Sequence, residues 1–357
     1  MNLVFVTQTL DPGHAALAQT LDLVHALSDR VDELAVVTRT DAWRAAPANV
    51  TVTTFDATTR AGRVVAYERA LLPTLRGADA VLVHMVPEFL VLAAPLTWAR
   101  RVPLLLWYTH WHAGRALRLA TRLTDVVLSV DRASFPLESP KLRGIGHAID
   151  VDVFTGSPAS NDLPVRFLAV GRTARWKGLT TLLDAFKVVL DQQADASLEI
   201  RGPSLTPDEV AHRSELRARI AGDPALNRSV MLGEPVPRAE MPRLLASADV
   251  VVSPNEPRSG ATFDKAVFEA AASARPVVST NAFFEPLLGD LPLPLLAPPH
   301  DPAALGEVLL SVGTAAREVR GVTGAELRRR VVEQHSLGHW ADAVIAVVRE
   351  VRSARGG

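Results

Sequence analysis

The sequence predicts an α/β chain made of two doubly wound, parallel-sheet domains in series. Three observations predict it. Short β-branched runs alternate with helical patterns along almost the whole chain, which is the signature of βαβ units. The alternation breaks once, at VDVFTGSPASNDLP (151–164), a segment rich in Pro, Ser, Gly and Asn that reads as a linker, and then restarts. A length of 357 residues favours two domains over one.

Seven runs in the first half read as strands: LVFVT (3–7), ELAVVT (33–38), VTVTTF (50–55), DAVLVH (79–84), VPLLLWY (102–108), DVVLSV (125–130) and KLRGIG (141–146). Most are nearly continuous apolar runs, as expected of strands covered on both faces. AALAQTLDLVHALSDR (15–30) reads as the first connecting helix. After the linker the strands are VRFLAV (165–170), SLEIRG (197–202), RSVMLG (228–233), DVVVSP (249–254) and PVVST (276–280). Helices are expected at 179–192, 207–222, 239–247 and 263–274, followed by a Pro-rich stretch (285–302) and further helices. The expected domains are 1–155 and 160–337, with a last helix near 338–357 that could pack back on the first.

Composition narrows the function classes. The chain is 48% hydrophobic and 22% charged, hence globular, and its net charge of −1 points to no nucleic-acid partner. It contains no Cys, which excludes disulfides, thiolate metal sites and a Cys nucleophile, and fits a cytoplasmic setting. The opening MNLVFVTQTL lacks the basic start and the longer apolar run of a signal peptide. The apolar run FLVLAAPLTWA (89–99) is too short to span a bilayer. At most a peripheral contact on the inner membrane face is expected.

The densest signal is VGRTARWKG (170–178), between a strand and an amphipathic helix. A glycine turn there lets backbone approach a ligand closely. Arg172 offers a planar fork for a phosphate and Lys177 a compact point charge, so the pair suits a diphosphate. Only four of the 38 cationic residues are Lys, at 141, 177, 187 and 265. Two of those four fall in the two stretches with ligand-site character.

The second such stretch is SPNEPRSGATFDKAVFEAAASARPVVSTN (253–281): strand, turn-rich loop, helix, strand. A loop entering a helix presents free N–H groups to an anion. Lys265 and Glu269 stand four apart on one helix face. They could be a solvated ion pair worth ~0.3–0.5 kcal/mol, or Glu269 could accept two hydrogen bonds from a ribose diol. Ligands of open α/β sheets sit beyond the carboxyl ends of strands. His14, His84, His110 and His147 all fall at such ends in the first half, at a predicted rim. His110-x-His112 could also be read as metal ligands, but no carboxylate cluster accompanies it, so no metal site is expected.

The two stretches together resemble the retaining glycosyltransferases of family 4, which have two Rossmann-like domains facing a cleft, the GT-B fold. The resemblance rests on Gly171-Arg172, Lys177-Gly178, Glu269-Ala270-Ala271-Ala272 and Pro276-Val277-Val278. In the first half, Thr109-His110 and GHAIDVDVF (146–154) are similar to the family's cleft Thr-His and first-domain end, with His147-Ala148 in place of the usual Gly. It implies transfer of a sugar from a nucleotide diphospho-sugar, of UDP or GDP type, to a hydroxyl acceptor with retention. The acceptor class would be lipid-linked, polysaccharide or small-molecule glycan, as in cell-envelope polysaccharide synthesis.

By that resemblance Arg172 and Lys177 hold the diphosphate, Glu269 the donor ribose and His110 the transferred sugar. Gly171, Asp264, Lys265, Ser259, Gly260, Ala261 and Thr262 would line the donor, and Asn281 and 233–236 would lie near the nucleotide. His14, His84 and His147 would face the acceptor. No cofactor or metal would be required. The family's earlier glutamate, eight positions before Glu269, is Ala261 here, and Asp264 and Lys265 could take over part of its work. Two other readings stand beside this one: a catalytically silent nucleotide-sugar-binding partner protein, and a nucleotide-sugar 2-epimerase. In the helix GRALRLATRL (114–123), Arg115, Arg118 and Arg122 share one face, either solvated or resting on anionic lipid.

Overall fold

The computed structural model describes residues 1–14, 17, 19–156, 164–192, 195–256 and 264–356. Ser259, Gly260, Ala261 and Thr262 lie outside them. The chain forms two compact units, one of Met1–Ala148 with Gln334–Gly357 and one of Ile149–Glu333.

In the first unit the strands are β1 (Asn2–Leu10), β2 (Glu33–Asp41), β3 (Val50–Thr54), β4 (Ala80–His84), β5 (Leu104–Trp107), β6 (Val126–Ser129) and β7 (Leu142–Gly144). They pair in parallel in the order β3-β2-β1-β4-β5-β6-β7. The helices between them are α1 (Thr20–Ser28), α2 (Arg60–Thr74), α3 (Pro87–Arg100) and α4 (Arg115–Leu123). Side chains alternate across each strand. In β1, Leu3 and Phe5 enter one apolar core while Val4 and Val6 enter the other. In β5, Leu105 and Trp107 share a core with the first pair, and Leu104 and Leu106 with the second. Two buried faces are why these strands read as continuous apolar runs rather than as alternation.

The second unit contains β8 (Val165–Val170), α5 (Leu179–Asp191), β9 (Ala196–Arg201), α6 (Pro207–Gly222), α7 (Pro224–Ser229), β10 (Val230–Gly233), α8 (Met241–Ser247), β11 (Val250–Ser253), α9 (Lys265–Ala272), β12 (Val277–Ser279), α10 (Glu285–Leu288) and α11 (Pro302–Thr314). Its parallel sheet has the order β10-β9-β8-β11-β12. Residues 228–229, expected to begin a strand, end α7 instead. Asp223 caps that helix by accepting from the Ala225 and Leu226 amides, and Pro224 fits its first position. Ile149 and Phe154, expected to close the first domain, are buried in the core of the second unit.

α12 (Arg317–His335) carries the chain back, and α13 (Leu337–Gly356) completes the first unit. Trp340, Val344 and Val348 of α13 are fully buried with Phe5, Leu27 and Leu128. The Trp340 ring meets Trp107 edge-on at 5.7 Å. Arg30 pairs with Asp342, Arg143 with Glu350, Arg352 with Asp79 and Arg355 with Asp125 around this apolar seam.

Candidate functional site

The order β10-β9-β8-β11-β12 reverses direction between β8 and β11, and crossovers leave such neighbours toward opposite faces. The crevice at their carboxyl ends is the place where doubly wound sheets bind ligands. Both densest sequence signals emerge there. β8 ends at Val170 before the VGRTARWKG turn, and β11 ends at Ser253 before the loop to α9. A small cavity at this point is lined by Gly171, Arg172, Lys177, Ser253, Pro254 and Asn255.

The turn is built on close approaches. A Cβ at Gly171 would lie 3.2 Å from Lys177 Cε and 3.3 Å from its Nζ, so the glycine makes way for the lysine stem. Residues Arg175–Lys177 form one 3-10 turn, and Gly178 follows with φ +63°. A Cβ on Gly178 would sit 1.9 Å from the Pro254 carbonyl oxygen. Only glycine lets the start of α5 lie on the loop after β11.

Lys177 is buried, at 8% exposure. Its ammonium donates to Asp264 Oδ2 at 2.6 Å and lies 4.8 Å from the Trp176 ring centroid. Asp264 caps α9, taking the Ala266 amide on Oδ1, while Asn255 donates to Oδ2 at 2.9 Å. Burial pushes the Asp264 pKa up, but the Lys177 charge and these hydrogen bonds outweigh it and hold the carboxyl below its ordinary value.

Arg172 projects from the same turn toward α6. Its Nε lies 3.3 Å from Glu209 Oε2, and its Nη2 also donates to Glu209. Glu209 was not among the residues expected from sequence. Its partner is 37 positions away, and no spacing rule reaches that far.

Glu269 lies near the middle of α9 with its side chain only 6% exposed. Lys265 reaches its Oε1 at 3.2 Å and Arg238, from the 3-10 turn after β10, at 2.9 Å. The Lys265–Glu269 pair is therefore not a solvated surface pair. Arg238, which the sequence did not single out, also lies over the Phe154 ring at 5.8 Å. Near 233–236, Arg213 is buried and donates to the carbonyls of Gly202 and Gly233, tying together the ends of β9 and β10. Asn281 is buried and accepts from the Phe283 amide as the cap of a 3-10 turn after β12.

The histidines singled out belong to the first unit and occupy distinct environments. His84 is not at an accessible rim: it is 6% exposed, stacked on Phe5 and hydrogen-bonded to Thr7 Oγ1 at 3.0 Å. Burial lowers its pKa to about 3, so it is a neutral core residue. His110 stacks on Trp111, and its Nδ1 accepts from the His112 amide. Desolvation of the ring, then the His112 charge, lowers the His110 pKa. His14 accepts from the Leu17 amide at 3.0 Å. His147 is half-buried, and its charge helps depress the pKa of His335. Among the described residues no group of three or more His, Cys, Asp or Glu could hold a metal ion.

In α4, Leu117 and Ala120 are buried while Arg115, Arg118, Leu119 and Arg122 are exposed. Lys141 caps the end of this helix through the carbonyls of Arg122 and Thr124. Among the described residues no helix is long and apolar enough to cross a membrane.

Residues 164–315 match the family model described as glycosyl transferases group 1, a span within the second unit. No curated protein sequence is similar enough to the chain to count as a match. Among solved structures, the chain is similar to Alr3699/HepE of Anabaena, seen in complex with UDP and glucose, at 18% identity and a TM-score of 0.73, covering 98% of this chain and 100% of that one. It is similar to a glycosyltransferase from Rickettsia africae at 13% identity and a TM-score of 0.76, covering 98% of each. It is also similar to the sucrose-phosphate synthase of Thermosynechococcus elongatus at 17% identity and a TM-score of 0.70, covering 99% of each. Two parallel sheets flanked by helices match these structures, which is the GT-B fold.

Proposed function

We propose that this protein moves a sugar from a nucleotide diphospho-sugar to a hydroxyl acceptor with retention at the anomeric carbon. One observation carries the reading: the span matching the glycosyl transferases group 1 model contains Arg172 and Lys177 on a single cavity at the switch point of the sheet. Breaking the bond from the anomeric carbon to the phosphate oxygen leaves the electron pair on that oxygen. Arg172 and Lys177 offset the charge that develops there. The acceptor oxygen bonds to the same face of the carbon, and its proton passes to the departing phosphate oxygen. No second carboxylate and no metal are required. Glu269, held by Arg238 and Lys265, would accept hydrogen bonds from the ribose diol. By the family resemblance, His110 would contact the transferred sugar.

The test is a donor screen of UDP- and GDP-sugars with the full chain, read as nucleotide release and glycoside formation. UDP-glucose comes first, since the Anabaena neighbour is also seen in complex with it. With an active donor, Arg172→Ala or Lys177→Ala should cut turnover ~10²–10³-fold. Near-normal turnover in either variant would reject the assignment. Activity that survives a chelator would support the metal-free route.

A catalytically silent nucleotide-sugar-binding partner is the second reading, favoured because both cations are already engaged by carboxylates. UDP binding without turnover on any donor would select it. An epimer released instead of a glycoside would select an epimerase. The exposed basic face of α4 suits a contact with anionic lipid. Cosedimentation with vesicles containing phosphatidylglycerol should fall when Arg115, Arg118 and Arg122 are changed to Glu, and binding that ignores this change would dismiss the contact.

A further inference from the structure

We infer that Glu209 is the positioning residue that aims Arg172 at the leaving phosphate, an inference that rests on the proposed function. The local sequence begins as a capping box, Thr206-x-x-Glu209 at the start of α6. Thr206 does its half, its hydroxyl accepting from the Glu209 amide at 3.3 Å. In a closed box the glutamate would return to the cap residue's own amide. Here Glu209 Oε2 accepts instead from Leu205 N, at 2.7 Å, and the carboxylate turns to Arg172.

The Glu209 side chain is only 4% exposed, so its charge must be paired within the protein. It takes the Nε–Nη2 edge of the Arg172 guanidinium. Nη1 makes no hydrogen bond among the described residues, and the Arg172 side chain is 42% exposed and lines the cavity. The guanidinium is thus a plate clamped on one edge and open on the other. Further bonds fix the turn it grows from. Buried Thr173 donates to the Glu209 carbonyl at 3.1 Å, and buried His212 bonds the Thr173 carbonyl at 2.8 Å and Thr180 at 3.2 Å. The opening turns of α6 hold the Gly171–Thr173 turn in place.

Arg172 keeps its charge toward the cavity, and what Glu209 adds to the pair is direction. Removing the negative charge while keeping the shape should then leave nucleotide binding intact and impair the step that needs alignment. This split separates aiming from simple support of the fold.

The experiment uses the full chain as wild type, Glu209→Gln, Arg172→Ala and the double variant. It reads UDP affinity by calorimetry and steady-state kcat and KM with the donor found active. Glu209→Gln should bind UDP at least as tightly as wild type while kcat falls ~10²-fold, the scale for a misplaced group. In the Arg172→Ala background the same change should cost nothing further. Wild-type kcat in Glu209→Gln, or losses that multiply in the double variant, would overturn the inference. Should Glu209→Gln fail to fold, Glu209→Asp keeps the charge with a shorter reach, and is expected to lose kcat at unchanged UDP affinity; unchanged kcat there overturns the inference too. Normal turnover and UDP affinity in Arg172→Ala would mean that the proposed function itself is wrong. Impairment in Arg172→Ala with a normal Glu209→Gln would remove Glu209 alone.

Discussion

Lys177 and Asp264 meet at 2.6 Å with their side chains only 10% and 12% exposed. Asp264 does three things at once: it caps α9, accepts from Asn255 and neutralises the one buried ammonium described at this site. Removing one partner of a buried pair strands the other. Asp264→Ala should therefore destabilise the second unit by ~3–5 kcal/mol. The double variant Lys177→Met/Asp264→Asn should be more stable than Asp264→Ala. Urea unfolding midpoints check both, and equal stability of Asp264→Ala and wild type would show that the pair is not structural.

Stability of the first unit should fall as the solution is acidified below neutrality. His84 and His335 are both held near a pKa of about 3, from an ordinary value of 6.5. Burial is the main cause for each, and His147 and His339 add to it at His335. A folded-state pKa below the unfolded one means that the unfolded chain binds more protons between those limits. The stabilisation is complete above about 6.5 and declines as pH falls toward 3, by ~1.4 kcal/mol per pH unit per histidine. His84→Gln should flatten the slope by about one proton in pH-dependent denaturation. An unchanged slope would mean that His84 titrates normally.

Trp340 should be indispensable in volume but not in its polar atom. It is fully buried, and its Nε1 has no hydrogen-bond partner among the described residues. Trp340→Ala should cost ~3–5 kcal/mol. Trp340→Phe should cost far less, because no hydrogen bond is lost and an unpaired N–H is removed. Thermal melts of the two variants decide this, and equal losses would contradict it.

Gly178→Ala should lower both stability and turnover. The added methyl must escape the Pro254 carbonyl 1.9 Å away, and an alanine resists φ +63°. Since Gly178 follows Lys177, relief of the clash would shift the ammonium from Asp264. A loss above ~1 kcal/mol in chemical denaturation, with reduced UDP affinity, is expected. Gly222→Ala is a control: no atom lies within 4 Å of its Cβ position.

The sheet framework was legible because it rests on local pattern. Each expected strand has a counterpart, since β-branched runs bounded by turn residues signal strands without knowledge of their neighbours. α6 matches its expected span of 207–222, helped by Thr206 and Pro207 at its start. Pairings across the chain were not legible. Arg172 with Glu209, Lys177 with Asp264 and Arg238 with Glu269 are separated by 37, 87 and 31 positions. Each follows from strand order, which sequence pattern does not specify. Burial misled in the other direction at His84, where a strand-end histidine looked like a ligand contact and is a packed core residue. The Thr206-x-x-Glu209 spacing was the one signal that could have marked Glu209, and it pointed to a helix cap rather than to an arginine.

The chain leaves the first unit after Ala148 and rejoins it at Gln334. During synthesis every residue of the second unit is thus made before Trp340, Val344 and Val348, which the core of the first still lacks. The nascent protein must keep the apolar surface around Phe5 and Leu128 uncovered for 185 residues of elongation, the span from Ile149 to Glu333, an interval in which chaperone protection is most needed.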